Sequence, residues 1–171
     1  MLAQQLLPIF VLQMVLSLAA WGSIALWLVV PYVRTLPKRR ALLLLLIPQM
    51  FRHIGVTLLV PGVVSPDIPA AFALPTAIGD TTTQLLAVLT IACLHQGWRY
   101  AFPMAWVTNT FGLIDLLLNG GRAALTGAIA YLHAAWFVPT FLVPLMVVSH
   151  LLVFWVLLRR DDRAAIPATQ R

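Results

Sequence analysis

LPIFVLQMVLSLAAWGSIALWLVV, the sequence of residues 7–30, contains no charged side chain and is followed directly by Pro31. A helix that crosses a bilayer needs about 20 consecutive apolar residues, so this stretch predicts a transmembrane helix. Residues 1–30 also lack lysine and arginine, and the apolar run is longer than that of a cleaved signal peptide. We therefore expect this segment to be retained as the first helix of the protein.

The composition predicts several more such helices. Of the 171 residues, 61% are hydrophobic and only 9% are charged, whereas soluble domains carry roughly a quarter charged residues. Short polar turns rich in proline and glycine divide the chain into apolar segments. The sequence predicts an all-α integral membrane protein with a single domain over residues 1–171, built as a bundle of about five transmembrane helices. The predicted spans are residues 7–30, 41–60, 70–94, 102–118 and 137–158.

One apolar stretch, residues 123–158, is too long for a single crossing even when a helix is tilted. Its first part lies between the pair Gly120 and Gly121 and the first proline of the last span. We predict that residues 123–136 form a short helix in the outer interface and that the fifth span begins at Phe137. A re-entrant segment is the alternative interpretation of the same residues.

Apart from Arg52, which lies within the second predicted span, the positive charges lie at the ends of the apolar segments. The net charge is +6, but basic residues beside membrane spans set topology and contact anionic head groups, so no nucleic-acid partner is predicted. Nine of the basic residues lie on one side of the predicted membrane, whereas the opposite side carries only Arg122. By the positive-inside rule, the amino terminus is outside and the carboxyl terminus is cytoplasmic, in a bacterial inner or plasma membrane. The side predicted to be cytoplasmic carries Arg34, Lys38, Arg39, Arg40, Arg99, Arg159, Arg160, Arg163 and Arg171.

Polar and ionisable side chains also lie inside the predicted spans, where a charged group costs about 2.5 to 3.5 kcal/mol on insertion scales. On an α-helical wheel of about 100° per residue, those of the second span share one face, and those of the third span share another. Lipid cannot satisfy such faces, so they must form a polar interior. The residues predicted to line it are Gln49, Arg52, His53, Asp80, Thr83, Asn109, Asp115 and His150.

Depth in the membrane connects two of these residues. Arg52 lies 14 positions before Pro66 (66 − 52) and Asp80 lies 14 positions after it (80 − 66), with Pro66 at the centre of the loop between the two spans. Antiparallel helices with the same rise per residue would place both side chains at one level. We predict that Arg52 and Asp80 meet, with His53 beside them and His150 lining the same interior. A purely structural ion pair is the alternative role for Arg52 and Asp80.

Three functions are compatible with such an interior. In the first, it binds or conducts a proton, an ion or a small polar ligand. In the second, the chain is an accessory or anchoring subunit of a larger membrane complex, or a homo-oligomer, and the polar residues serve assembly. In the third, His53 and His150 hold haem b for electron transfer. The same histidines with Asp80 and Asp115 would also suit a divalent metal, whereas no common catalytic fingerprint is present.

Overall fold

The computed structural model describes residues 2–159. All regular structure in this range is helical apart from one isolated bridge between Pro61 and Val64. Five helices are long and apolar enough to cross a membrane, which confirms the predicted number. Arg160, Arg163 and Arg171 lie outside the described residues. The five helices are Gln5–Thr35, Lys38–Leu59, Ala70–Gln96, Ala101–Thr126 and His133–Leu158.

Several of these long helices combine α-helix with tighter or wider turns. Their elements, in chain order, are α1 (Leu2–Ile24), a π-helical turn (Ala25–Val29), α2 (Val30–Thr35), α3 (Lys38–Leu45), a 3₁₀ helix (Pro48–Leu59), α4 (Ala70–Gln96), α5 (Ala101–Thr126), two 3₁₀ turns (Ala128–Tyr131 and His133–Trp136), a second π-helical turn (Val138–Leu142) and α6 (Val143–Leu158).

The bundle has two chemically different ends. At one end, Arg39 donates to the carbonyls of Leu94 and His95, and Nη2 of Arg159 donates to the carbonyl of Leu36 at 3.0 Å. Carbonyls in the last turn of a helix lack intrahelical partners, so these arginines tie helix ends together. We call the opposite end, with residues 61–69 and 127–136, the loop end. The basic end is the one with Arg34, Lys38, Arg39, Arg40, Arg99 and Arg159.

The region after the fourth span differs from the prediction. α5 continues beyond its predicted end to Thr126, and Gly127 then ends it with a φ of +65°, which glycine adopts without steric cost. Two short 3₁₀ turns, Ala128–Tyr131 and His133–Trp136, follow in place of one helix. The predicted interfacial helix over residues 123–136 is therefore wrong in its bounds. The glycines inside α5 do not end it, because an apolar helix keeps its backbone hydrogen bonds internal.

These two turns fold over the loop end. The N–H of Ser65 donates to the carbonyl of Tyr131 at 2.9 Å, and the N–H of Ala135 donates to the carbonyl of Val63 at 3.3 Å. Apolar side chains pack beneath these bonds and join the turns to the ends of α1, α4 and the 3₁₀ helix. This cluster includes Phe10, Leu58, Phe72, Ile129 and Leu132.

The helix that carries Arg52 changes type at Pro48. Proline has no N–H for an α-helical hydrogen bond, so the α3 ladder is interrupted there. The N–H groups of Ile47, Gln49 and Met50 donate to carbonyls three residues back, at 3.0 to 3.3 Å. A 3₁₀ helix turns once every three residues, so every third side chain points in the same direction. The buried residues of this segment have that spacing, and the segment packs mainly against α4; they are Gln49, Arg52, Gly55 and Leu58.

Buried polar residues occupy the middle of the bundle. Along α4, Thr76, Asp80 and Thr83 lie between the apolar cluster of the loop end and a second apolar cluster at the basic end. The same order recurs on α5, on the last long helix (His133–Leu158) and on the helix that begins at Lys38. A polar layer is therefore enclosed between two apolar clusters, and the basic-end cluster contains Leu42, Leu46, Leu94, Val153 and Val156.

Candidate functional site

Arg52 lies at the centre of the polar layer, with only 3% of its surface exposed. Its Nε and Nη2 atoms donate to Oδ1 of Asp80 at 2.8 and 2.5 Å, and Nη2 also donates to Oδ2 of Asp115 at 2.6 Å. The prediction that Arg52 meets Asp80 is confirmed. Asp115 is a second partner of the same guanidinium, so one cation joins three helices.

The remaining N–H groups of Arg52 are also used. Nη1 donates to the carbonyl of Gly112 at 2.9 Å and lies 3.4 Å from Nε2 of His150. A guanidinium has five N–H donors, and these contacts provide an acceptor for each. We call Arg52, Asp80, Asp115 and His150 the Arg52 cluster.

His150 is fully buried, and both of its ring nitrogens have partners. Nδ1 lies 2.7 Å from Oδ1 of Asn109, whose Nδ2 donates to the backbone carbonyl of His150 at 3.1 Å. Because an arginine N–H can only donate, Nε2 of His150 is an acceptor and Nδ1 carries the ring proton. This arrangement describes a neutral imidazole that orients Arg52. It places His150 and Asn109 in the interior, as the sequence predicted.

Three glycines make room for the cluster, and sequence reasoning missed all of them. At each, an added Cβ would collide with a buried side chain: Gly55 against Asp80, Gly79 against Asp115, and Gly112 against His150. Small residues at helix interfaces allow such close approach in membrane bundles. Gly55 follows Arg52 by one 3₁₀ turn, so the sequence signal was a glycine on the same face as the buried arginine.

A hydrogen-bonded chain leads from the cluster toward the loop end. Nδ2 of Asn119 donates to Oδ2 of Asp115 at 3.1 Å, and Nη1 of Arg122 donates to Oδ1 of Asn119 at 2.6 Å. Asn119 lies just beyond the predicted end of the fourth span, residue 118. Because α5 continues, Asn119 lies one turn after Asp115 on the same face of the helix. The cluster therefore has a polar connection to Arg122.

On the side toward the basic end, Gln49 and Ser149 form a separate polar pair. Nε2 of Gln49 donates to Oγ of Ser149 at 3.2 Å, and this hydroxyl donates to the carbonyl of Leu45 at 2.6 Å. Within residues 2–159, Oε1 of Gln49 is a buried oxygen that accepts no hydrogen bond. Thr83 is also buried, but its hydroxyl donates to the carbonyl of Gly79 on its own helix at 2.9 Å. Gln49 and Thr83 therefore lie in the polar layer without joining the chain that leads to Arg122.

His53 does not belong to the cluster. Its side chain is exposed on the surface of the bundle, with its ring 6.4 Å from that of Phe51. The prediction that His53 lies beside Arg52 is wrong, because a 3₁₀ helix turns each residue by about 120° from the one before it. Burial of Arg52 against α4 thus directs His53 away from α4.

The two histidines consequently do not form the predicted haem b site. His53 faces outward, whereas both ring nitrogens of His150 are engaged by Asn109 and Arg52. The proposed divalent site also does not converge. In the part of the chain that the structure describes, no group of three or more histidine, cysteine, aspartate and glutamate side chains is placed to hold a metal ion.

A cavity of about 270 Å³ adjoins the cluster on the side of the loop end. It lies among α1, α4, α5 and the beginning of the last long helix, and most of its wall is apolar. The Asp80 side chain forms part of the wall and keeps 12% of its surface exposed. The cavity therefore gives access to one carboxylate of the Arg52 cluster.

Comparison with curated proteins and with solved structures found no match to this chain. One protein-family model matches residues 9–158, a range that contains the whole Arg52 cluster and the cavity-lining part of α5. On this match, the chain belongs to the family described as Domain of unknown function (DUF8737).

Proposed function

We propose that this chain is an integral membrane protein that holds one exchangeable proton on the carboxylates of Asp80 and Asp115. The charge count carries the proposal. One guanidinium, that of Arg52, is shared by two carboxylates that are each only 8% exposed. With both carboxylates ionised, the cluster has a surplus of one negative charge. Arg122, the next cation along the hydrogen-bonded chain, reaches Asp115 only through Asn119 and is not fully buried, so solvent partly screens its charge. Uncompensated buried charge is costly, and a proton on either carboxyl group removes it.

A proton suits this geometry better than a metal ion. One oxygen of Asp80 and one of Asp115 accept from Arg52, while their second oxygens lie against Gly55 and Gly79. A hard cation such as Ca²⁺ takes roughly six to eight oxygen ligands, whereas a proton needs only one carboxylate oxygen. Because the two carboxylates share Arg52, the proton belongs to the pair as a whole rather than to one residue.

The polar connection to Asn119 and Arg122 supports exchange of this proton at the loop end. On the other side, buried Leu42, Leu46 and Leu94 separate the cluster from the basic end. The positive-inside rule makes the basic end cytoplasmic and the loop end external. In this conformation, the proton would exchange with the outside. Transport across the membrane would require the region around Gln49 to open in a second conformation.

The test is infrared spectroscopy of the purified protein in lipid nanodiscs during a pH titration. A protonated carboxyl group gives a carbonyl stretching band that is distinct from carboxylate bands. We expect this band at neutral pH and its loss in Asp80→Asn and in Asp115→Asn, because removal of either carboxylate also removes the surplus charge. Asp67→Asn, at an exposed carboxylate of the loop end, is the matched control and should keep the band.

Two results would contradict the proton site. One is the absence of the carboxyl band in the native protein at every pH at which it stays folded. The other is a band that survives in both asparagine variants, since it would then come from another group.

A subunit of a larger complex is the second candidate, and one observation favours it. The most apolar stretch of the first long helix, Gln5–Thr35, is only 11% buried within the chain, compared with 33% to 39% for the other four helices. Lipid or a second chain must cover this surface. Purification with a stoichiometric partner, or as a defined homo-oligomer, would support this candidate.

A further inference from the structure

The cavity beside Asp80 combines an apolar wall with one charged position. Phe10 and Met14 of α1, Phe72 of α4 and Ile129 of the first 3₁₀ turn contribute apolar surface. Its polar side chains differ in how many of their hydrogen-bonding groups already have partners in the protein. They are Thr76, Asp80 and Asn119.

Two of these three polar side chains are already engaged. The hydroxyl of Thr76 donates to the carbonyl of Phe72 at 2.7 Å. Asn119 donates to Asp115 and accepts from Arg122. Asp80 is different, because both hydrogen bonds from Arg52 reach a single oxygen, Oδ1. The charge that a cavity occupant meets is therefore that of the Asp80 carboxylate.

Arg52 cannot offer its own charge to an occupant, since its five N–H groups already have acceptors. An anion in the cavity would face a carboxylate, and the cavity wall formed by the described residues has no cationic side chain to balance its charge. A neutral molecule could gain hydrogen bonds but would leave the negative charge of the ionised cluster uncompensated. A cation would instead supply the positive charge that the ionised cluster lacks, and an apolar chain attached to it would match the rest of the wall.

We infer that the cavity binds one lipophilic monocation, an organic ammonium group joined to an apolar chain, with the ammonium at Asp80. This inference rests on the proposed proton site, because the cation and the proton compete for the same negative charge. When the ammonium group enters, the carboxyl group releases its proton to water, and no other covalent bond changes. The sum of charges on the cluster and its occupant is zero before and after the exchange.

The volume limits the size of the occupant. At about 270 Å³, the cavity lies near the lower end of small-molecule sites, which begin at roughly 300 Å³. A compact head group with one short alkyl chain fits this limit better than a phospholipid does. Octyltrimethylammonium is a suitable test compound because its charge is permanent, so any proton released comes from the protein. Octanol and octanoate have the same chain with a neutral and an anionic head group.

Two neighbouring glycines on α5 offer a matched pair of variants. An added Cβ would meet no atom within 4 Å at either Gly120 or Gly121. Only Gly120 lines the cavity. Both positions are helical, so leucine should be tolerated at each and should improve helix propensity. Gly120→Leu therefore fills the cavity, and Gly121→Leu controls for the same change outside it.

The experiment is calorimetric titration of the native protein in nanodiscs, in two buffers with different ionisation enthalpies, with empty nanodiscs as the blank. We expect one saturable site for octyltrimethylammonium with release of one proton, and no saturable site for octanol or octanoate. Gly120→Leu should weaken binding by about tenfold or more, which corresponds to about 1.4 kcal/mol, whereas Gly121→Leu should bind as the native protein does. Equal binding of the three octyl compounds, or unchanged binding in Gly120→Leu, would overturn the inference.

Infrared spectra of the same samples separate the two proposals. Loss of the carboxyl band on addition of octyltrimethylammonium supports both. A carboxyl band that persists when the compound is saturating overturns the exchange but leaves the proton site standing. Absence of the band in the untreated protein overturns the proton site. Cation binding without proton release would then contradict the competition between cation and proton on which this inference depends.

Discussion

Arg52→Met should be the most destabilising single substitution in the polar layer. It removes the cation shared by Asp80 and Asp115 while leaving both carboxylates nine-tenths buried. Breaking a buried ion pair by removal of one partner costs about 3 to 5 kcal/mol. Protonation of both carboxyl groups would limit the loss, so we expect a decrease in the free energy of unfolding of about 3 to 5 kcal/mol rather than twice that amount.

Substitutions of Asp80 should be milder, in a definite order. Asp80→Ala removes the acceptor of two Arg52 hydrogen bonds, but Arg52 keeps Asp115 at 2.6 Å. An unsatisfied buried donor costs about 1 to 3 kcal/mol, so we expect a loss of about 2 to 3 kcal/mol. Asp80→Asn keeps an oxygen at the position of Oδ1. It should cost about 1 kcal/mol, the difference between a charged and a neutral hydrogen bond.

The assay is equilibrium unfolding of the purified protein in mixed micelles, with the free energy of unfolding compared among the three variants. His53→Ala is the control, since it lies on the exposed face of the same 3₁₀ helix and should change this free energy little. The reasoning is refuted if Arg52→Met costs no more than Asp80→Asn. It is also refuted if His53→Ala is as destabilising as Arg52→Met, because the loss of free energy of unfolding would then not depend on whether the substituted side chain is buried.

Stability should return only when all three charges are removed. Apolar replacement of Arg52 and Asp80 alone would leave Asp115 buried without its cation, so that it must either stay charged at a cost or become protonated. The triple variant with Arg52→Met, Asp80→Asn and Asp115→Asn has no charge to compensate, and removal of every charge of a buried ion cluster costs less than removal of one partner alone. If the cluster is purely structural, this variant should regain stability and still bind octyltrimethylammonium; if the cluster is the functional site, it should regain stability without binding.

Two further predictions concern packing and topology. Gly112→Ala should destabilise the protein, because the added Cβ would lie 2.7 Å from Cε1 of His150, whereas Gly121→Ala at an open helical position should not; their melting temperatures give the comparison. Cysteine at Lys38 should resist an impermeant thiol reagent on intact cells, and cysteine at Asp67 should react, because the positive-inside rule places the basic end in the cytoplasm. The reverse labelling pattern would overturn the topology.

The existence of a polar layer could be predicted because each helix that contributes to it carries polar residues within its own apolar segment. Asp80 and Asp115 are acidic residues within long apolar segments, and a carboxylate in such a segment must turn inward to a partner. What could not be predicted from one helix at a time was the shared use of Arg52. Asp80 and Asp115 come from α4 and α5, and only the tertiary structure shows that both reach one guanidinium.

Arg52 meets Asp80 as predicted, although the two helices do not have the equal rise per residue on which that prediction depended. From Arg52 to Leu59 there are seven steps of a 3₁₀ helix, which at about 2.0 Å each give about 14 Å. From Ala70 to Asp80 there are ten α-helical steps, which at about 1.5 Å give about 15 Å. The larger 3₁₀ rise compensates for the smaller number of residues between Arg52 and the end of its helix.

The same change of helix type explains why His53 was misplaced. In an α-helix, three residues turn by about 300°, so Gln49 and Leu58, nine residues apart, would lie on opposite faces. A 3₁₀ helix has no such drift, and Gln49, Arg52, Gly55 and Leu58 form one buried row on a helix that packs mainly against α4. Pro48 gives a sequence reason for the first 3₁₀ turn, but such runs rarely exceed about four residues. Continuation to Leu59 depends on packing of this row against α4, which Gly55 permits by leaving space for the carboxylate of Asp80. The ion pair and the helix type therefore stabilise each other, and neither follows from the residues of one segment alone.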